Sequence, residues 1–283
     1  MKFSFLAGLG FTRYKAKDVV KSLKDLGYDG VEWTLAHFNP RTKSDKELAE
    51  VVKVTRDGGL EISELAIQLG YVWLEEEKRK DLLALTKESI QACARHGIGV
   101  ANVFTGPVPW IPEAPRVGIN IKEGDAWKMA FDAFDEIVPL AEKNKVRLAM
   151  EGVWGMLVHG FYQSKFLVNH YNSDYLGVNL DVSHGILLGN LDVGWVVKQW
   201  GKKIYHVHLK DAVGVAPDKF IFPMLGEGFV NWKEFFDALR EIDYKGFCSV
   251  EYESFKYYAD VFRDDPVAAA KISMEQIKKL TTL

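Results

Sequence analysis

The sequence of 283 residues predicts an α/β fold, specifically a single-domain (β/α)8 TIM barrel that spans residues 1–283. Short apolar and β-branched runs alternate with longer amphipathic segments along the chain, which is typical of parallel strands buried on both faces. A barrel of eight such units uses about 250 residues, which agrees with the length of this chain. No linker-like stretch divides the sequence, so we expect one domain.

Eight segments are predicted as strands because each is short, apolar and bounded by turn or helix signals. They are residues 2–7, 30–34, 60–66, 98–104, 145–151, 176–181, 203–209 and 247–251. Repeated βα units with right-handed crossovers form either an open doubly wound sheet or a closed barrel. Eight units of even spacing favour the barrel.

Helix signals lie between the strands. A helix over 18–26 is predicted to end at Gly27, as helices with a C-terminal glycine do. Ser44 and Glu47 form the pattern of a capping box, which marks the start of a second helix. Further helices are expected over 82–96, 125–145, 232–242 and 266–280.

Composition and charge exclude several classes of protein. The net charge of -3 and the pI near 6.2 give no indication of a nucleic-acid or anionic-membrane partner. The N-terminal apolar run is too short for a signal peptide, and no stretch approaches the ~20 apolar residues of a membrane span. Cys93 and Cys248 stand far apart, so we expect no disulfide framework and a cytoplasmic location.

Polar residues stand at the ends of the last four predicted strands. Strands five to eight lead to Glu151, Asp181, His208 and Glu251. In a TIM barrel the carboxyl ends of the strands form the active-site face, so these side chains are expected to meet there. Three carboxylates buried together require a neutralising cation. Oxygen ligands with one imidazole suit Mn²⁺, Mg²⁺, Co²⁺ or Zn²⁺, and we predict one divalent metal ion.

Five short segments resemble the motifs of one enzyme family. They are residues 28–32, 179–184, 206–211, 225–228 and 246–251. They resemble the sugar phosphate isomerase/epimerase family of the xylose-isomerase-like TIM barrel superfamily, and the likeness covers nearly the whole chain. The resemblance implies the ligand set named above, with Mn²⁺ as the expected ion. The resemblance implies that the metal ligand is the second histidine of the H-x-H pair, which is His208. His206 is therefore expected to have a structural or supporting role.

The resemblance also implies the chemistry. The metal ion would hold the carbonyl oxygen and the adjacent hydroxyl of a ketose, and proton abstraction between them would give a metal-bound cis-enediolate. Glu151 and Glu251, one on each side of the substrate, are the predicted catalytic pair. Depending on where the proton returns, the enzyme is an epimerase or an isomerase. If the substrate carries a leaving group on the β-carbon, the same site would act as a lyase or dehydratase on a keto-sugar or keto-glycoside, for example in C-glycoside cleavage.

Two residues near the predicted ligands are expected to bind substrate. His184 follows Asp181 by three residues, and the resemblance implies that it contacts a substrate oxygen. The alternative is that His184 serves only at the start of a helix. Lys210 is predicted either to line the site or to pair with Asp211.

Aromatic residues make up 13% of the chain, and most are expected to pack between helices and barrel. Trp110 lies in the proline-rich segment 106–115 after strand four. This segment is either a rigid lid that brings Trp110 to the substrate or a surface loop with turn chemistry. We include Trp110 among the predicted substrate-binding residues.

The chain departs from the better-known ketose 3-epimerases at two positions. Those enzymes have a second glutamate and an arginine that orient substrate, where this chain has Leu157 and Gly214. Trp154 and His159 occupy the loop after strand five instead, and both are predicted to bind substrate. A bulky aromatic residue suggests a larger substrate, such as an oxidised sugar that carries an aglycone.

Two other functions on this fold are less favoured. The trinuclear zinc site of endonuclease IV needs histidines from strands three and four, where this chain has Glu64 and Asn102. A non-catalytic sugar-binding barrel would not need two glutamates on opposite sides of a metal ion. The expected partner is a small sugar or keto-sugar, and association into homo- or hetero-oligomers is expected by analogy.

Gly226 and Gly228, after strand seven, have two interpretations. Glycine-rich turns late in a barrel can bind a phosphate group, but a tight turn is the commoner explanation. We therefore predict a substrate without a phosphate group.

Overall fold

Eight parallel strands close into a barrel in the computed structural model, which describes residues 1–190, 192–254, 261–262 and 265–282. The strands of the described residues are β1 (Lys2–Leu6), β2 (Gly30–Thr34), β3 (Glu61–Ala66), β4 (Val100–Val103), β5 (Arg147–Met150), β6 (Leu176–Asp181), β7 (Ile204–Leu209), β8 (Val213–Val215), β9 (Lys219–Ile221) and β10 (Phe247–Val250). Around the barrel the order is β1 to β7 and then β10, which pairs with β1. The predicted TIM barrel is confirmed. The antiparallel hairpin of β8 and β9 was not predicted.

Helices follow most of the barrel strands. In the described part of the chain they are α1 (Ala16–Leu26), α2 (Asp45–Asp57), α3 (Glu76–His96), α4 (Glu123–Asn144), α5 (Phe161–Tyr171), α6 (Val182–Leu187), α7 (Val193–Trp200), α8 (Trp232–Glu241) and α9 (Pro266–Leu280). Gly27 ends α1 with φ of 89°, and Ser44 and Glu47 form the predicted capping box. Helix α3 begins six residues before its predicted start.

Helices α5, α6 and α7 were not predicted. The sequences of α5 and α6 give no clear amphipathic period, and α7 is only eight residues long. Five of the six residues of α6 are buried, so no polar face marks it as a helix. Helix α5 starts after Gly160 without a side-chain cap. Helix α5 is therefore stabilised by packing rather than by a local cap, and sequence patterns do not report such packing.

The barrel has an apolar outer surface and a polar interior. Outward-facing residues such as Val31, Trp33 and Val207 are fully buried against the helices. Many interior positions are polar and equally buried, among them Ser4, Glu32, Glu64, Asn102, Asn179, His206, His208 and Ser249. Interiors of TIM barrels are usually filled by layers of branched apolar side chains. A polar interior therefore has to be stabilised by hydrogen bonds or ions.

Two predictions about the chain as a whole can be compared with the structure. Cys93 and Cys248 are both buried and free, as expected for a chain without a disulfide framework. Across the described residues, no helix combines the length and the apolar character needed to cross a membrane.

Asp211 organises the chain that follows β7. Its carboxylate accepts hydrogen bonds of 2.9–3.1 Å from the backbone N–H groups of Ala212, Gly226, Gly228 and Val230 and from the indole of Trp232. A Cβ atom at Gly228 would lie 2.1 Å from Asp211 Oδ1, so only glycine fits there. Asp211 is thus the centre of a tight turn, and it does not pair with Lys210. The N–H groups of Gly226 and Gly228 bind this carboxylate and not a phosphate.

We expect Asp211→Ala to lower the free energy of unfolding by at least about 3 kcal/mol, because it leaves five donors without their acceptor and buried donors are costly to orphan. Urea denaturation followed by circular dichroism measures this change. Asp237→Ala is the control, since its ion pairs on α8 are exposed and worth about 0–1 kcal/mol. Equal losses in the two variants would contradict the role of Asp211.

Candidate metal centre and active site

Three of the predicted ligands, Glu151, Asp181 and Glu251, meet at the C-terminal mouth of the barrel. The fourth, His208, contacts two of them but is not part of the group whose ligand atoms all lie within 4.8 Å of one another. Glu151 and Glu251 directly follow β5 and β10, Asp181 ends β6, and His208 lies in β7. All four are at least 92% buried, with exposures of 1% for Glu151, 7% for Asp181, 0% for His208 and 8% for Glu251. His208 Nδ1 lies 3.2 Å from Glu151 Oε1 and 3.1 Å from Glu251 Oε2. The imidazole therefore stands between the two glutamates.

His184 joins the same group from the first turn of α6. Its Nε2 lies 3.4 Å from Asp181 Oδ2 and 3.7 Å from Glu151 Oε1. One ligand atom each of Glu151, Asp181, His184 and Glu251 lies within 4.8 Å of the other three. Asp181 Oδ1 accepts a hydrogen bond from Ser183 N–H at 2.8 Å, which starts α6 and aims His184 at the mouth.

The donors fit a divalent metal ion. A metal with ligand distances of about 2.1 Å places neighbouring donor atoms roughly 3 Å apart, and the separations of His208 Nδ1 from Glu151 and Glu251 agree with this. Asp181 Oδ2 is buried and accepts no well-formed hydrogen bond from the described residues. Buried carboxylates at this spacing need a cation to offset their repulsion. The mouth therefore has the ligand types, burial and spacing of a divalent-metal site.

Lys210 supplies positive charge to the same carboxylates. The side chain is 3% exposed, and its Nζ lies 3.0 Å from Asp181 Oδ2, 2.6 Å from Glu251 Oε2 and 2.8 Å from Glu253 Oε2. Burial disfavours the ammonium, but the three carboxylates outweigh burial and raise the pKa of Lys210 well above its usual range. Lys210 thus lines the cavity at the mouth, which is one of the two predicted alternatives. Its partner Glu253 was missed, although it follows Glu251 at the two-residue spacing of one strand face.

The two glutamates of the predicted catalytic pair lie in different electrostatic surroundings. Burial raises the pKa of Glu251, and the positive charge of Lys210 offsets this only in part. Burial acts in the same direction on Glu151, but the charge of His208 and hydrogen bonds from His184 and His208 outweigh it. The pKa of Glu151 is consequently lowered well below its usual range.

Two buried asparagines fix the carboxylate of Glu151. Asn102 Nδ2 donates to Glu151 Oε2 at 2.9 Å, and Asn179 Nδ2 donates to the same oxygen at 3.1 Å. Glu151 Oε1 remains directed at the histidines. Since Asn102 and Asn179 belong to β4 and β6, the strands on both sides of β5 hold this carboxylate in one orientation.

A second group of buried residues lies beneath the mouth. It consists of Glu32, Glu64, His206 and His208, whose ligand atoms also lie within 4.8 Å of one another. The carboxylate of Glu32 accepts a hydrogen bond from His208 Nε2 at 3.1 Å. Burial lowers the pKa of His206 to about 4, so this imidazole is neutral near pH 7.

Glu32 therefore holds the His208 ring from the side opposite the mouth. A carboxylate on the second nitrogen of a metal-binding histidine is a common arrangement that orients the ring. Sequence analysis assigned Glu32 no role, although a charged residue inside the apolar strand β2 was a usable signal. Its partner 176 residues away could not be inferred from the sequence.

A cavity of about 690 Å³ opens above the metal centre. Its inner end is lined by Glu151, His184, Lys210, Glu251 and Glu253, and its outer end includes the predicted residues Trp110 and Trp154. The ring of Trp154 packs on Phe220 of the hairpin at 4.9 Å between centroids. The structure thus brings four of the five predicted substrate-binding residues into one cavity with Glu151 and Glu251, two of the four predicted metal ligands.

His159 is the predicted substrate-binding residue that does not line this cavity. Its Nδ1 lies 3.0 Å from Met156 O and 3.2 Å from Leu157 O, so the ring contacts its own loop. Leu157 is buried in a small apolar cluster, and Gly214 lies in β8 with φ of 107°, where a Cβ would meet Lys219 O at 2.0 Å. At these two positions the loops therefore offer no counterpart to the substrate-orienting glutamate and arginine of the ketose 3-epimerases.

Comparison with known proteins defines the class. Residues 20–280 match the family model of the xylose isomerase-like TIM barrel, so the chain belongs to this family. The resemblance seen in the sequence is confirmed. An inosose isomerase from Bacillus velezensis is 22% identical over 284 residues, which cover 98% of this chain and 97% of the relative.

Two solved structures share the fold over almost their whole length. The IolI protein with a bound zinc atom is 21% identical, with a TM-score of 0.79 over 100% of this chain and 98% of that one. D-psicose 3-epimerase in the presence of D-fructose is 17% identical, with a TM-score of 0.77 over 99% and 98%. At these identities the likeness extends to the fold.

We expect Glu32→Gln to weaken Mn²⁺ binding about 10- to 100-fold, because loss of a carboxylate behind a metal-binding histidine typically has an effect of this size. Isothermal titration calorimetry on metal-stripped protein measures the dissociation constant. Glu61→Gln, at an exposed position of β3, is the matched control. An unchanged dissociation constant in Glu32→Gln would show that Glu32 does not position His208.

Proposed function

We propose that the protein is a divalent-metal-dependent sugar isomerase or epimerase that moves a proton on a carbon next to a ketone. The observation that carries this proposal is the placement of Glu151 and Glu251 on either side of His208, at the inner end of a cavity. Membership of the family and similarity to an inosose isomerase support it. The expected substrate is a small sugar or keto-sugar.

The proposed ligands are Glu151, Asp181, His208 and Glu251, with Mn²⁺ as the expected ion. When bound, a divalent ion acts as a Lewis acid that polarises a carbonyl group and acidifies the adjacent C–H bond. The chain contributes preorganisation. Asn102 and Asn179 fix Glu151, Glu32 fixes the His208 ring, and Lys210 holds Glu251.

Proton transfer is assigned to the two glutamates. If one removes the proton and the other returns it on the opposite face, the carbon is inverted, which is epimerisation. Return of the proton to the neighbouring carbon gives an aldose–ketose isomerisation. His184 Nε2 and Lys210 Nζ, 3.3 Å apart, lie where they can donate to the negative charge that develops on a substrate oxygen.

A lyase or dehydratase acting on a keto-sugar or keto-glycoside, including C-glycoside cleavage, is the second candidate. The same proton abstraction expels a leaving group from the β-carbon. The size of the cavity and its aromatic outer end favour this alternative, because a group attached to the sugar can be accommodated there. Product analysis distinguishes the two reactions.

We expect Glu151→Gln and Glu251→Gln each to lower the rate of deuterium incorporation at least about 100-fold, because loss of a general acid–base group has an effect of this size. The assay incubates D-fructose, D-psicose and an inosose in D₂O with Mn²⁺ and measures exchange by NMR. Glu275→Gln on the exposed side of α9 is the control. Wild-type exchange in Glu251→Gln would exclude the proposed proton-transfer pair.

Metal removal is expected to stop exchange, and added Mn²⁺ to restore it. His208→Ala is expected to lower the metal content measured by mass spectrometry while the circular dichroism spectrum stays that of the wild type. Exchange that persists after chelation would contradict a metal-dependent reaction. Sugar binding without exchange, with metal present, would instead identify a non-catalytic sugar-binding barrel.

A further inference from the structure

We infer that the outer half of the cavity is a binding site for an aromatic ring attached to the reacting sugar, so that the substrate class is a keto-sugar with an aromatic aglycone. Only the part of this inference that concerns the sugar rests on the proposed function. It is carried by the division of the cavity into a charged inner end and an aromatic outer end.

The outer end is formed by aromatic side chains from three loops. Phe104 and Trp110 come from the segment after β4, Trp154 from the segment after β5, and Phe220 and Phe222 from β9 and the residue beyond it. The cavity volume of 690 Å³ lies in the upper half of the range of about 300–1,000 Å³ for sites that bury drug-sized ligands. A single sugar ring at the metal centre would leave this outer end unfilled.

The aromatic rings form a continuous path from the metal centre outward. His184 contacts Phe222 at 5.9 Å between centroids, Phe222 contacts Phe220 at 5.3 Å, and Phe220 contacts Trp154 at 4.9 Å. Lys210 Nζ lies 4.6 Å from the centroid of Phe222. One ligand can therefore reach the charged end and the aromatic end at the same time.

The chemistry of the outer wall favours an aromatic group over a second sugar. Among the described lining residues, the wall between these rings is completed by Leu9, Val153, Pro217 and Ile221, and Asp218 is the one carboxylate there. A second sugar would bury hydroxyl groups that find few hydrogen-bond partners on such a wall, which is unfavourable. A planar aromatic group loses no hydrogen bonds and packs edge-to-face on these rings.

The hairpin that supplies much of this wall is an addition to the eight-stranded barrel. Its strands pair through Val213 with Ile221 and Gly214 with Phe220. Trp110 and Ile221 are 55% and 40% exposed although both line the cavity. Exposed apolar side chains gathered around a cavity are typical of a ligand-binding surface.

The test compares phenyl and methyl 3-oxo-β-D-glucopyranoside, which share the ketone and differ in the aglycone. Binding to the full-length, Mn²⁺-loaded protein is measured by isothermal titration calorimetry. We expect the phenyl compound to bind at least about tenfold more tightly, because burial of an aromatic ring against other rings gives an effect of this order.

The variant Trp154→Ala/Phe220→Ala is expected to bring the two dissociation constants to within about twofold of each other, since the aromatic contacts that distinguish the two compounds are lost. Trp154→Phe keeps an aromatic ring and should retain most of the preference. Tyr162→Ala is the control, because this residue is exposed on α5 outside the cavity. If the double variant does not fold, Trp110→Ala at the exposed rim replaces it and should reduce the preference.

Equal binding of the two compounds by the wild type, or a preference that survives in the folded aromatic variants, would overturn the inference. Deuterium exchange in D₂O separates this failure from failure of the proposed function. Exchange with both compounds but no phenyl preference excludes the aromatic subsite alone. A phenyl preference without exchange supports the subsite and excludes the proposed reaction.

Discussion

The burial of several carboxylates in one small volume is the constraint on which the rest of this structure depends. Glu151, Asp181 and Glu251 are nearly inaccessible to water, and Glu253 is connected to them by its ion pair with Lys210. Negative charges cannot be confined in this way unless positive charge and hydrogen bonds compensate them. The ammonium group, the imidazoles and the expected divalent ion provide that compensation. The polar barrel interior is the framework that keeps these groups in place.

The parallel barrel turns this electrostatic requirement into a defined geometry. All eight strands end at one face, so residues distant in sequence meet there, while residues two positions earlier form a supporting layer. His208 connects the layers, because its Nδ1 faces the glutamates of the mouth and its Nε2 binds Glu32 below. Rigid strands carry the reacting groups, and loops carry the aromatic wall. Under the proposed function, the groups that determine the reaction and those that determine the substrate lie in different parts of the fold.

The barrel and the polar residues at the ends of its strands could be inferred from the sequence because their signals are local. A polar residue at the end of an apolar strand, such as Glu151, is visible without knowledge of its neighbours. The role of Glu32 could not be inferred, since it depends on a contact with His208 in another strand. The hairpin was missed because its three-residue strands are too short to show a period. The direction of the His159 ring, which contacts its own loop, could not be inferred, because a position in a loop gives no direction for a side chain.

Asp211 has a consequence for how such an enzyme can change its substrate. Its carboxylate binds Ala212 and Gly226, so it clasps both ends of the segment that contains the hairpin. Lys210, its neighbour, meanwhile faces the carboxylates of the mouth. The hairpin is thus a module with a closed base, and a relative's hairpin could be grafted between these two attachment points. Such a graft would change the wall of the outer cavity and leave the buried residues of the mouth in place.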